Sequence, residues 1–169
     1  MFRFLALFVA LLLAFFTIEL LQPVQNAVVI PWTGFLAKMA AGLASAFDSN
    51  VLSQGKVMYD AVTGNGVSIE AGCNGVEAVL LLAAAVLAYP SSLKMKVLGL
   101  SLGFIAIQVV NLMRIITLYY MAGWDKEVFN FFHLYLWQAL IMLDVLIVWL
   151  IWIRRVGREE MHADTPVVA

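Results

Sequence analysis

Three side chains of this 169-residue chain are of types that transfer acyl groups when they meet: Cys73, Arg114 and His133. A thiol attacks a carbonyl as its thiolate, an imidazole can take the thiol proton and return it to a leaving amine, and a guanidinium can hold the oxyanion that forms. Cys73 is the only cysteine, which excludes an intramolecular disulfide and a cysteine-only metal site. An inert packing residue, an intermolecular bridge and a nucleophile all remain open. The companions have plainer readings too, since interfacial histidines commonly bond backbone or headgroups and Arg114 could pair structurally with Glu77. The choice depends on whether the chain's elements bring the three together.

Those elements are membrane helices. The chain is 64% hydrophobic with mean hydropathy +0.96, more apolar surface than one small soluble core can hide. We expect an all-α integral membrane protein. Phe4 to Leu21, Val76 to Tyr89, Val97 to Met121 and Leu134 to Ile153 read as four spans, set against the roughly 20 residues needed to cross about 30 Å of hydrocarbon. The second is short and is expected to begin near Cys73, with Asn74 and Gly75 in its first turn. Pro90 ends it, because proline blocks helix continuation. A net charge of −1 without a basic domain gives no electrostatic basis for binding nucleic acid.

Basic residues orient the bundle. Arg3 precedes the first span, Lys94 and Lys96 lie between the second and third, and Arg154, Arg155 and Arg158 follow the fourth. The positive-inside rule puts all of these, and both termini, in the cytoplasm. Gln22 to Gly72 and Ala122 to Phe132 then lie outside. We expect the first span to be retained rather than cleaved as a signal peptide, because its apolar run exceeds the usual range of about 7 to 15 residues and no small-x-small site follows.

In the outer segment, Trp32, Phe35, Leu36, Met39, Leu43 and Phe47 recur at helical spacing opposite Thr33, Lys38 and Ser45. This predicts an amphipathic helix lying in the outer interface. Val57, Tyr59 and Ala61 alternate before Thr-Gly-Asn-Gly, and Val67, Ile69 and Ala71 alternate after it. Either a two-stranded cap turning at Asn65-Gly66 or an irregular glycine-rich loop fits. Residues 1–153 are expected to form one membrane-embedded domain and 154–169 a polar cytoplasmic tail, disordered from Glu159 onward.

Polar groups at bilayer depth are costly and mark functional sites. Glu19, Cys73, Glu77, Asn111, Arg114, His133 and Asp144 stand out. The topology puts Cys73, Arg114 and His133, from three spans, in the outer leaflet, with Glu77 nearby and Asn111 one turn from Arg114, able to orient it. Helix N-terminal polarity and the two cationic neighbours should lower the thiol pKa. Glu19 is expected at the interface. Asp144, about 16 Å below His133 by helical rise, is expected to bond another helix. Trp32, Trp124, Trp137, Trp149 and Trp152 are expected as interfacial belt anchors.

Cys73-Asn74-Gly75, then Asn111-Leu112-Met113-Arg114 in the next span, then His133 opening the last, resembles the exosortase/archaeosortase family of membrane transpeptidases, most like the short exosortase H type. The resemblance covers about Val51 to Ile153, making 1–153 an exosortase-like domain. It departs at Asn74, where a small hydroxyl residue is common, and after His133, where a glycine often follows. The resemblance implies Cys73 as nucleophile, Arg114 as transition-state stabiliser and His133 as general acid/base, with no cofactor or metal. It implies a multi-pass protein of the bacterial plasma (inner) membrane, surrounded by lipid, with its site facing the periplasm. The implied substrates are secreted proteins bearing a C-terminal motif, a transmembrane helix and a basic cluster. They would be cleaved through a cysteine thioester and passed to an acceptor nucleophile that the sequence does not identify. The same three groups would also suit a membrane thiol acyltransferase or hydrolase, and a non-enzymatic assembly subunit is the reading from another class.

Overall fold

The computed structural model describes residues 2–163. Its helices are α1 (Phe2–Glu19), α2 (Gln22–Val24), α3 (Ile30–Ala44), α4 (Val76–Ala88), α5 (Leu93–Met121), α6 (Lys126–Phe131) and α7 (Trp137–Ala163), with strands β1 (Val51–Gln54), β2 (Val57–Asp60) and β3 (Gly66–Ser68) between α3 and α4. Two five-residue π-helical turns, Gln25–Val29 and Phe132–Leu136, join α2 to α3 and α6 to α7. The first precedes Pro31, whose missing N–H and bulky ring disrupt regular α-helical bonding. The chain is a multi-pass, mostly helical membrane protein with a small three-stranded sheet.

By length and composition four helical runs can cross a membrane: Phe2–Glu19, Gln22–Ala44, Leu93–Met121 and Lys126–Glu159. Three of them coincide with expected spans. The expected second span is only 13 residues, or about 20 Å, and starts at Val76 rather than at Cys73. The outer segment supplies the long run instead.

Within the bundle, α4 packs against α1, α5 and α7. Gly99 and Gly103, one turn apart on α5, make the close approach possible: a Cβ on Gly99 would lie 2.4 Å from Trp152 Nε1, and one on Gly103 would lie 2.2 Å from Leu82 Cδ2. Small residues four apart are how helices close up in lipid, where tails are as apolar as leucine and packing must drive association. Ser92 begins α5 by accepting a hydrogen bond from Met95 N, as an N-cap does. Trp152 donates from Nε1 to Met95 O at 2.7 Å. It is therefore a buried strut, as is Trp137 within α7, and neither is the belt anchor expected.

The helix over Ile30–Ala44 stands where the amphipathic helix is expected, but Thr33 of its expected polar face packs inward. Its buried residues are Thr33, Leu36, Ala37, Ala40, Ala41 and Ala44, while Phe35, Met39, Leu43 and Phe47 are exposed. In a membrane protein the small residues pack and the large ones face outward, so a size pattern outweighs a polarity pattern. The packed face meets Val51, Met58 and Ile69 of the sheet region and Leu112, Ile115 and Tyr119 of α5 in one core.

That sheet has three antiparallel strands in the order β1-β2-β3. Val51–Gln54 pairs with Val57–Asp60, an extra hairpin closed at Gly55, whose φ is +58°. Asn65-Gly66 is not the turn. Gly66 already pairs with Tyr59, and the connection is held by Asp60 Oδ1, which accepts from Val62 N at 2.7 Å and Thr63 N at 2.8 Å. Beyond Arg158, α7 continues to Ala163; the rest of the expected tail, 164–169, lies outside the described residues.

Candidate active site

Cys73 is held by a turn rather than a helix. Its N–H donates to Glu70 O at 2.9 Å, and Gly72 (φ +82°) and Gly75 (φ +74°) flank it in the left-handed region that a side chain disfavours. Gly75 is doubly constrained, because a Cβ there would stand 2.9 Å from Gln108 Nε2. Asn74, fully buried, spans the turn: its Oδ1 accepts from Val76 N at 3.0 Å and its Nδ2 donates to Thr33 Oγ1 at 3.2 Å. Trp32 Nε1 donates to Asn74 O at 3.3 Å. An amide supplies both donor and acceptor here, which the small hydroxyl residue common at this place could not do at the same reach.

His133 enters from the opposite side on the π-helical turn Phe132–Leu136. Such wide turns insert one residue and so re-aim a side chain. His133 Nε2 lies 3.2 Å from Cys73 Sγ. From α5, Arg114, 3% exposed, donates from Nη2 to Cys73 Sγ at 3.4 Å and to His133 O at 3.4 Å, and from Nη1 to Gly72 O at 3.3 Å. One planar fork of donors thus ties together the turn, the thiol and the histidine helix.

Burial pushes the Cys73 thiol upward, the Arg114 guanidinium pulls it back, and Glu77 adds to the rise. The net direction is up, against the expectation of a depressed thiol, because a half-buried sulfur loses more hydration than a single cation returns.

The supporting residues behave differently from expectation. Glu77 does not pair with Arg114; its Oε1 accepts from Gly72 N at 2.6 Å and fixes the turn before the thiol. Asn111 does not bond Arg114 either. Its Nδ2 donates to Gln108 Oε1 at 3.5 Å, and both amides press on Gly75. Glu19 is buried rather than interfacial. Asp144 makes no interhelical bond, and its Oδ2 is buried without a partner among the described residues. Trp32, Thr33 and Gln108 are site residues that the sequence reading did not single out for this role. Gln108, three residues from Asn111 and equally out of place in an apolar span, was the available signal.

The described residues bring together no group of three His, Cys, Asp or Glu side chains able to hold a metal. Comparison with curated proteins and with solved structures gives no match. The sequence model of the transmembrane exosortases (Exosortase_EpsH) matches residues 2–150, nearly the whole chain. The chain therefore belongs to the transmembrane exosortase family, and with it to membrane proteins of transpeptidation and protein sorting.

Proposed function

We propose that the protein is a cysteine transpeptidase that cleaves the C-terminal tripartite signal of secreted proteins on the outer side of a bacterial inner membrane. The observation that carries this reading is the convergence of His133 Nε2 at 3.2 Å and Arg114 Nη2 at 3.4 Å on the one thiol of the chain. Both are within reach of proton transfer and charge stabilisation.

The Cys73 proton passes to His133 Nε2 as Sγ bonds the substrate carbonyl carbon, and the electron pair displaced onto the carbonyl oxygen is met by Arg114. The C–N bond then breaks, His133 returns the proton to the departing amine, and a thioester remains. An acceptor amine or hydroxyl gives its proton to His133, bonds the same carbon and expels the sulfur, which recovers the proton. Proton transfer of this kind needs the base within contact distance of the thiol, as His133 Nε2 is at 3.2 Å.

Helical rise supports the depth. Lys96 to Arg114 is about 27 Å along α5 and His133 to Arg154 about 31 Å, each close to one hydrocarbon thickness of about 30 Å. With the basic ends in the cytoplasm, the thiol stands at the outer boundary, where the first residues outside a substrate's transmembrane helix must pass.

In cells expressing Cys73→Ala, the variant is expected in the membrane at normal abundance while a tail-anchored protein accumulates uncleaved, as read by membrane proteomics and C-terminal mass spectrometry. Unchanged processing across the membrane proteome in that strain would sink the assignment.

A further inference from the structure

The register of the sheet leaves a row of unpaired backbone groups beside the thiol. Asp60 N donates to Asn65 O, and Ile69 N donates to Lys56 O. With Met58 opposite Val67 and Val57 opposite Ser68, residues 65, 67 and 69 are the ones that bond β2. In an antiparallel pair the alternate residues point the other way. The N–H and C=O of Gly66 and Ser68 therefore face outward from β3, which is an edge of the sheet, and both residues are exposed.

That edge borders the reaction centre. A narrow cavity of about 30 Å³ lies between β3 and α6, lined by Ser68, Ile69, Cys73, Arg114, Phe129 and His133. One wall is α6, Lys126–Phe131, which contributes Phe129 and buries none of its residues. A wall with no buried side chain opens at low cost compared with the packed α5 face.

We propose that the substrate segment preceding the cut adds to β3 as a fourth strand, bonding Gly66 and Ser68 and displacing the α6 wall outward. This rests on the peptidase reading and specifies how that site takes its substrate. An open edge presents alternating donors and acceptors that another extended backbone matches, so affinity comes from the main chain. The strand's end delivers a carbonyl to Cys73 Sγ, five residues along from Ser68. Every second substrate residue turns its N–H toward β3, and the intervening ones do not.

The probe is an epitope-tagged copy of the tail-anchored protein that accumulates in Cys73→Ala membranes, carrying single prolines at six successive positions before the cut. Processing by the unaltered enzyme is expected to fall about tenfold or more at every second position and less than about threefold between, since proline removes a donor only where one is used. A flat or steadily graded profile overturns strand addition, including the case in which the edge is occupied by a second copy of the chain. On the enzyme, Ser68→Pro removes an outward N–H while sparing the β2 ladder and is expected to slow processing about tenfold. Ser53→Pro, the equivalent outward position on the opposite edge strand β1, stays within about twofold. Iodoacetamide labelling of Cys73 at the unaltered rate in both variants shows an intact site; if Ser68→Pro does not accumulate, the substrate scan decides alone. If Cys73→Ala fails to block processing, the peptidase reading falls and strand addition with it. A block by Cys73→Ala with a flat scan removes strand addition alone.

Discussion

The two halves of α5 bury opposite kinds of residue. From Leu93 to Ile107 it buries Met95, Gly99, Gly103 and Ile107, a smooth face against which Leu82 and Trp152 close. From Gln108 onward the same helix buries Gln108, Asn111 and Arg114 among its apolar residues. The inner half is held by packing, so it needs small residues and no polar partners. The other half carries Arg114, whose partners come from elsewhere, from the Cys73 turn and the His133 carbonyl, while Gln108 and Asn111 bond each other beside Gly75, so its geometry depends on several elements at once. A helix in lipid can thus be a strut over one half and a scaffold for chemistry over the other.

The sharpest test of that contrast is Arg114. Replacing it with alanine is expected to lower processing by about a hundredfold to a thousandfold, and lysine to recover little, because a point charge cannot bond Gly72 O, Cys73 Sγ and His133 O together. Rates in membranes normalised to protein abundance read this, and recovery by lysine to within about threefold would break the scaffold reading. In the inner half, Gly103→Leu is expected to destabilise the bundle by about 1–3 kcal/mol through overpacking, reducing abundance and thermal stability. Activity per folded molecule should hold; a loss as deep as Arg114→Ala would erase the distinction between halves.

A third test uses pH. Because burial raises the thiol and Arg114 lowers it, iodoacetamide labelling of Cys73 should rise with pH to a midpoint above the ordinary thiol value of about 8.5. Arg114→Gln, which removes the lowering influence, should move that midpoint higher still. A midpoint below the ordinary value would reinstate a pre-formed thiolate. The smallest effect is expected at Asp144, whose Oδ2 lacks a partner. Asp144→Asn should leave processing within about twofold and stability unchanged or slightly raised, as no bond is lost. A large loss would mean that chemistry also extends along α7, away from the Cys73 turn.

Cys73, Arg114 and His133, which converge in the candidate site, were legible as candidates because a reactive or ionisable group in an apolar span has few innocent explanations. Cys73, Arg114 and His133 come from three different places in the chain, and topology alone put them at one level. Their supports were not legible. Asn111 is three residues from Arg114, which suggested a bond along the helix, yet its amide turns to Gln108 and Gly75. The packed face of Ile30–Ala44 is set by small side chains and includes Thr33, which polarity alone does not indicate, and Val-Leu-Ser-Gln of β1 is too short to show alternation.

The sequence by itself determined that this is a helical membrane protein, which ends of its spans are basic, and which three side chains have functional groups suited to acyl transfer, since hydropathy, charge and functional groups are properties of residues taken one at a time. Only the tertiary structure decided that the thiol sits in a turn before α4, that one guanidinium ties it to the histidine helix, and that an open strand edge lies beside it. Those depend on distances between residues some 20 to 60 positions apart, and such distances are set by how glycines and alanines let the helices close.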